Sequence, residues 1–210
     1  TRLGEAFRCI KEAGLKLKPS KCRLFQKEVV FLGHKVSAQG IHTDPEKLLA
    51  VQSWEPPKNV KAVRSFMGFA NYYRKFVPSF ATIADPIIQL TKKGVRFSWS
   101  PECQEAFCKL KNLLVGAPVL AYPLANENFI LDTDASGSGL GGVLSQVVND
   151  EERVVAFASK TLSKTQRQYC TTHRELLAVV RMVKHFHHYL WGRKFLIRTD
   201  HASLRWLLNF

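Results

Sequence analysis

Apolar residues recur at helical spacing near the start of the chain, where Leu3, Phe7 and Ile10, extended by Leu15, share one face. That pattern predicts a helix over 3–14, ended by Gly14. Lys21 to Val36 alternates weakly and carries Phe25, Val29, Val30, Phe31 and Leu32. This predicts two short strands joined near Gln26–Glu28, with Gly40 closing the unit. Helical signals then return. Asp44 is placed to cap a helix that takes Pro45 in its first turn, continues through Leu48, Leu49 and Val51, and stops at Trp54-Glu55-Pro56-Pro57. Val63, Phe66, Met67, Ala70 and one of Tyr72 or Tyr73 predict a second helix over 60–76. Pro78 interrupts, and a third helix follows over 80–91. Ser100-Pro101-Glu102 opens a fourth, with Ala106, Phe107, Leu110, Leu113 and Leu114 inward and Gly116 and Pro118 at its end. Beyond it the period shortens. Strands are predicted over 129–134, 140–148 and 153–159, the last two joined by the polar tip 149–152. A long helix over 164–190 ends at Gly192, a fourth strand runs over 195–199, and a final helix starts near Ala202. The second half thus reads β-β-β-α-β-α, and the chain as a whole is α/β (α+β).

Composition narrows the class. Hydrophobic residues make up 46% and charged residues 23% of 210 positions, enough for one large or two small domains with real cores. No apolar run reaches the roughly 18 residues a membrane span requires. Thr1 to Ser20 mixes charged and apolar residues without a signal-peptide pattern, and the absence of an initiating Met marks an excerpt of something longer. The five cysteines are odd in number and never spaced C-x-x-C, which argues for reduced thiols and against a disulfide framework or zinc ribbon. An intracellular setting is expected. The net charge of +14 points to a polyanionic partner, and with no basic amphipathic anchor in view, nucleic acid leads over a membrane.

Acids in the second half carry the candidate chemistry. Asp132 and Asp134, two apart on one predicted strand, share a face. Glu175 interrupts an apolar helix, and Asp200 ends the fourth strand. Acids from three separate elements converge only through the fold, and their repulsion is tolerable with divalent cations between them; oxygen ligation suits Mg²⁺ or Mn²⁺. Spacing alone favours ordinary roles: a helix cap for Asp200, an ion pair of Glu175 with Arg174 or Arg181, a solvated edge for Asp132. His185, His187 and His188 sit at adjacent helix positions beside Phe186 and Tyr189, so partial burial is expected there rather than a metal. Lys92, Lys93 and Arg96 read as an exposed loop.

Residues 131–146, Leu-Asp-Thr-Asp-Ala-Ser-Gly-Ser-Gly-Leu-Gly-Gly-Val-Leu-Ser-Gln, resemble the first hairpin of the RNase H domain of gypsy-type LTR retrotransposons. Arg174-Glu175-Leu-Leu-Ala-Val-Val, Tyr189-Leu-Trp-Gly192 and Arg198-Thr-Asp-His-Ala-Ser-Leu204 resemble its later motifs. Val30-Phe-Leu-Gly-His-Lys-Val-Ser37 is similar to the primer-grip hairpin at the end of a reverse transcriptase palm. Arg64 to Phe76 and Ser98 to Phe107 are similar to the thumb. The resemblance covers nearly the whole chain, with the motifs in the family's order. It implies the end of a palm over 1–42, a helical thumb over 43–117 and a C-terminally truncated RNase H-like mixed sheet with helices over 118–210.

Carried over residue by residue, the resemblance makes Asp134, Glu175 and Asp200 catalytic metal ligands, with Asp132 no more than a supporting residue. It implies hydrolysis of the RNA strand of an RNA–DNA hybrid with two metal ions, the 2′-hydroxyl marking RNA. Gly137, Gly139, Gly141 and Gly142 either let the backbone approach that hybrid or merely form a turn. Phe31, Leu32, Gly33 and His34 become primer-grip residues, and Arg64, Asn71, Tyr72, Arg74 and Lys75 contacts to the primer–template backbone. The implied partners are RNA–DNA hybrid, primer–template and the rest of a Pol polyprotein. The implied setting is a cytoplasmic virus-like particle or the nucleus. Two family features fall outside the chain: a fourth metal-site Asp in a later helix, and the polymerase motif Tyr-x-Asp-Asp. The fragment alone is therefore expected not to polymerise and to be weak or inactive as a nuclease. A non-catalytic nucleic-acid-binding module of retroelement origin is the alternative. A different nuclease or integrase of RNase H-like fold is disfavoured by the thumb-like helices.

Overall fold

The computed structural model describes residues 2–204. Helix α1 (Arg2–Glu12) forms as expected and ends at Gly14, with no residue buried. The strands that follow depart from expectation. Residues 22–27 form no strand, and the turn lies not near Gln26–Glu28 but at Leu32-Gly33. The result is a meander of β1 (Glu28–Phe31), β2 (His34–Ser37) and β3 (Gly40–Thr43). Leu32 and Gly33 both take left-handed φ, +45° and +65°. Such a two-residue turn matches strand twist, and glycine adopts it without steric cost. An apolar Leu at the tip hid this signal. The residues around Gly40, expected only to close the unit, instead start β3. That strand is sewn to the far end of the helical unit by paired bonds between Ile41 and Leu120, 2.8 and 2.9 Å.

Four helices follow, close to their expected bounds. Asp44 caps α2 (Pro45–Gln52) by accepting the Glu46 N–H at 3.1 Å. Asn59, unread in the sequence, caps α3 (Val60–Tyr72) by accepting the Ala62 N–H at 2.8 Å. A 3₁₀ turn, Arg74–Phe76, then leads to α4 (Phe80–Gln89) and α5 (Pro101–Val115). Phe66, Tyr73, Phe76, Ile87, Phe107 and Leu110 form the core of this unit.

The second sheet has the order β6-β5-β4-β7, built from β4 (Phe129–Ala135), β5 (Gly139–Val148), β6 (Glu151–Thr161) and β7 (Phe195–Arg198). β7 runs parallel to β4 and the other pairs are antiparallel. The β5–β6 turn is only Asn149-Asp150, both at positive φ, so Glu151 and Glu152 belong to the strand. The single helix expected over 164–190 is three: α6 (Lys164–Arg167), α7 (Thr171–His185) and α8 (His187–Leu190). The breaks have a packing reason. Redirection before Thr171 lets Glu175, Ala178 and Met182 of α7 face the sheet, and the bend at Phe186 buries both Phe186 and Leu190. Gly142 and Gly139 turn out to be packing positions rather than an approach for nucleic acid: a side chain there would strike Met182 of α7 and Thr82 of α4. The last expected helix lies, beyond Leu204, outside the described residues. Among the described residues no helix is long and apolar enough to cross a membrane.

Candidate metal centre and nucleic-acid face

Asp134 stands near the end of β4, Glu175 one turn into α7, and Asp200 two residues beyond β7. Because β7 runs parallel beside β4, both strands deliver their acids to the same edge of the sheet, and α7 crosses that edge. Carboxylate oxygens of the three residues lie within 4.8 Å of one another. Asp134 and Asp200 are exposed, whereas Glu175 is only 4% exposed. Its Oε2 has no hydrogen-bond partner among the described residues. Burial, then the charges of Asp134 and Asp200, push the Glu175 carboxyl above the ordinary glutamate range. The Ala135 backbone and His201 offset this only in part.

The ion pair that competed for Glu175 does not form among the described residues. Arg174 turns to the Ser136 carbonyl at 3.3 Å, and Arg181 forms no ion pair with Glu175. Thr199, not Asp200, accepts the His201 N–H, at 3.2 Å. The Thr172 hydroxyl meets Nε2 of the His201 ring at 3.0 Å, a contact that sequence reasoning missed. A buried, unpartnered carboxylate facing two others is an arrangement that a hard divalent cation balances, and the all-oxygen donor set fits Mg²⁺ or Mn²⁺.

Asp132 shares the strand face of Asp134 but is committed elsewhere. Arg198 donates to both its oxygens, at 2.6 and 2.7 Å, and also to Glu152 at 2.6 and 3.0 Å. Ser145 donates to Glu152 at 2.6 Å. One residue from each of the four strands is thereby joined across the open face of the sheet. These bonds hold the Glu152 carboxyl below its usual range and raise the Arg198 guanidinium.

At the hairpin, Phe31 and Leu32 are exposed at 63% and 72%. His34 is corrected by the structure: its ring does not project but packs among Tyr72, Tyr73 and Phe76, at centroid distances of 5.2, 5.6 and 5.7 Å. Its Nδ1 bonds the Leu32 carbonyl at 2.9 Å, while Nε2 is buried without a partner. Tyr72 likewise spends its hydroxyl on the Leu32 carbonyl, and Tyr73 donates to the Gly33 carbonyl at 2.6 Å. Both tyrosines hold the turn from below. Lys47, which sequence reasoning passed over, lies beside Gly33.

Arg74 is also corrected. It is half-buried over the Phe80 ring and donates to the Ser159 carbonyl at 2.6 Å, joining the helical unit to β6. Lys75 is half-buried against Phe76. Arg64 and Asn71 are exposed on α3, although Asn71 also accepts from Arg74 at 3.3 Å. Lys92, Lys93 and Arg96 are exposed as expected. His185, His187 and His188 remain exposed rather than half-buried, each beside a neighbouring aromatic ring.

Comparison with known proteins agrees with this architecture. Residues 99–197 match the family model described as the RNase H-like domain found in reverse transcriptase. The chain is 40% identical over 207 residues to the retrovirus-related Pol polyprotein from transposon 412 of Drosophila melanogaster, covering 99% of this chain and 17% of that protein. It is 43% identical over 204 residues to the corresponding polyprotein from transposon 297 of the same organism, covering 97% and 19%. It therefore spans less than a fifth of the length of these relatives. A foamy viral protease–reverse transcriptase, solved in complex with RNA/DNA hybrid, shares the fold with a TM-score of 0.82 at 22% identity, over 98% of this chain and 28% of that one. Residues 99–197 are thus an RNase H-like domain of the reverse transcriptase kind, and the homologues of the chain are Pol polyproteins of LTR retrotransposons.

Proposed function

We propose that the chain is a palm-end, thumb and RNase H segment, divided at 1–42, 43–117 and 118–210. In the complete polyprotein it binds RNA–DNA hybrid and hydrolyses the RNA strand. The observation that carries this reading is the convergence of Asp134, Glu175 and Asp200 around an unpartnered buried oxygen. These three would hold Mg²⁺ or Mn²⁺. When bound, such ions supply Lewis-acid activation of water and charge stabilisation at the leaving 3′ oxygen. The protein's part is positioning. Asp134 and Asp200 stay open to solvent and so to a phosphodiester, while burial fixes Glu175 behind them. No protein nucleophile is required. On the first half, Phe31 and Leu32 offer apolar surface to a primer end, and Arg64 and Lys75 offer charge to the backbone. A cytoplasmic particle or the nucleus would be the place of action.

The test is cleavage of an RNA–DNA hybrid in Mg²⁺ by the full Pol reading frame carrying Asp134→Asn. RNA cleavage should be lost while salt-dependent hybrid binding persists. Normal cleavage by the variant overturns the site. Hybrid binding without cleavage by the unsubstituted protein would favour a non-catalytic binding module.

A further inference from the structure

A second site lies at the seam between the helical unit and the second sheet. The end of α3, the following turn and α4 form one wall, and the end of β6 and the second half of α7 form the other. The walls are pinned together at Ser159: Arg74 donates to its carbonyl at 2.6 Å, and its hydroxyl accepts the Ala81 N–H at 2.9 Å. Between them is a cleft of about 660 Å³. Arg74, Lys160, Arg181, Lys184 and His185 line it, with the Asn71 amide, and no carboxylate does. Among the described residues none of these five basic side chains forms an ion pair with an acid. Phe80 and Met182 supply an apolar floor.

Four cationic groups, Arg74, Lys160, Arg181 and Lys184, around one cavity without an acid leave a strong local positive field, and the low-dielectric floor keeps water from screening it fully. Desolvation of its ring in the cleft, and after it the charges of Arg74 and His188, lower the pKa of His185. Arg74 spends only part of its donor fork on Ser159 and Asn71, leaving further N–H groups. We propose that this cleft is a seat for closely spaced phosphate groups, separate from the carboxylate cluster and from the hairpin tip. Lysine and arginine donors around a preformed cavity match tetrahedral oxyanions, and the volume takes more than one phosphate. The phosphates could belong to a nucleic-acid backbone or to a free polyphosphate; the chemistry recognised is the same.

Titration calorimetry of the metal-free chain with inorganic tripolyphosphate tests this. Arg181→Gln with Lys184→Gln should weaken binding by about tenfold, whereas Lys92→Gln with Lys93→Gln, on the exposed loop, should leave it within about twofold. Both pairs remove two charges, so the contrast separates a seat from net charge. Lys160→Gln, on an exposed position of the edge strand, should give a smaller loss and guards against misfolding of the α7 pair. Absent tripolyphosphate binding, or equal weakening by the two pairs, overturns the proposal. Displacement by a short single-stranded DNA identifies a nucleic-acid backbone as occupant; displacement by ATP but not by DNA identifies a free polyphosphate. Either result supports the seat.

Discussion

Glu175→Gln should make the metal-free protein more stable while removing its response to divalent cations. Two costs bear on this carboxylate, and the substitution relieves the second. The first is a buried acceptor, Oε2, with no partner, a state that costs about 1–3 kcal/mol. The second is repulsion from Asp134 and Asp200, whose oxygens lie within 4.8 Å. Because both aspartates are exposed, the water-like limit of about 1 kcal/mol per pair applies. Gln is nearly isosteric and its amide N–H can donate to either aspartate, but it keeps an acceptor that gains no partner. A net gain of about 2 kcal/mol remains, which for a chain of this size raises the melting temperature by roughly 4–8 °C. Binding inverts the order. A cation at about 100 times its Kd stabilises the wild type by about 2.7 kcal/mol, and the variant, lacking the buried ligand, gains little. Thermal unfolding followed by circular dichroism in EDTA, and again with Mn²⁺, reads both effects. A variant that melts below wild type in EDTA, or that gains as much as wild type from Mn²⁺, refutes the reasoning.

Two further outcomes are expected. Arg198→Ala removes the link between Asp132 and Glu152; since all three side chains are a third or more exposed, the loss of stability after screening is about 1 kcal/mol. Mn²⁺ affinity should fall as well, because Asp200 follows Arg198 by two residues. Urea denaturation and Mn²⁺ titration check both, and unchanged affinity would free the metal centre from the clamp. Acidification should destabilise the hairpin through His34. Burial lowers its folded pKa below 6.5 against the opposing bond to the Leu32 carbonyl; the charges of Lys75 and Lys47 add to the lowering, and Asp44 opposes it least. The unfolded state then binds the proton more readily, so this contribution is intact above pH 6.5 and is lost as pH falls toward the folded value. Urea midpoints between pH 7.5 and 5.5 should fall less in His34→Gln than in wild type; equal slopes would refute the assignment.

The helical unit was legible because its signals are local. Asp44-Pro45 and Ser100-Pro101 mark helix starts within a few residues, and Phe66 and Phe107 fall on faces that periodicity identifies. The β4–β5–β6 order was legible for the same reason, since alternation and turn residues are local. The three carboxylates were legible as candidates only. Their spacing allowed a cap or an ion pair, and what brings them together is the parallel pairing of β4 with β7, which no local pattern reports. The breaks in the 164–190 helix were hidden because helix propensity continues through them, while burial of Phe186 and Leu190 decides the bend. The Leu32-Gly33 turn was hidden by an apolar residue doing a polar residue's job.

Three residues read as ligand contacts proved to be fasteners, and this changes what the first half contributes. Tyr72 and Tyr73 hold the turn carbonyls, His34 fills the space beneath, and Arg74, the next residue, crosses to Ser159 on β6. From β6 the ladder runs through β5 to Asp134 on β4. Arg153 adds a second tie, donating to the Gln39 carbonyl at 2.6 Å, and Tyr122 a third, to the Ser37 carbonyl at 3.1 Å. The hairpin tip and the carboxylate cluster are therefore ends of one continuous set of hydrogen bonds. On the proposed function, this sets a fixed separation between the point that meets the primer and the point that cleaves RNA. Positioning of that kind is where such an active site gains rate, because the chemistry itself needs little from the protein beyond placement.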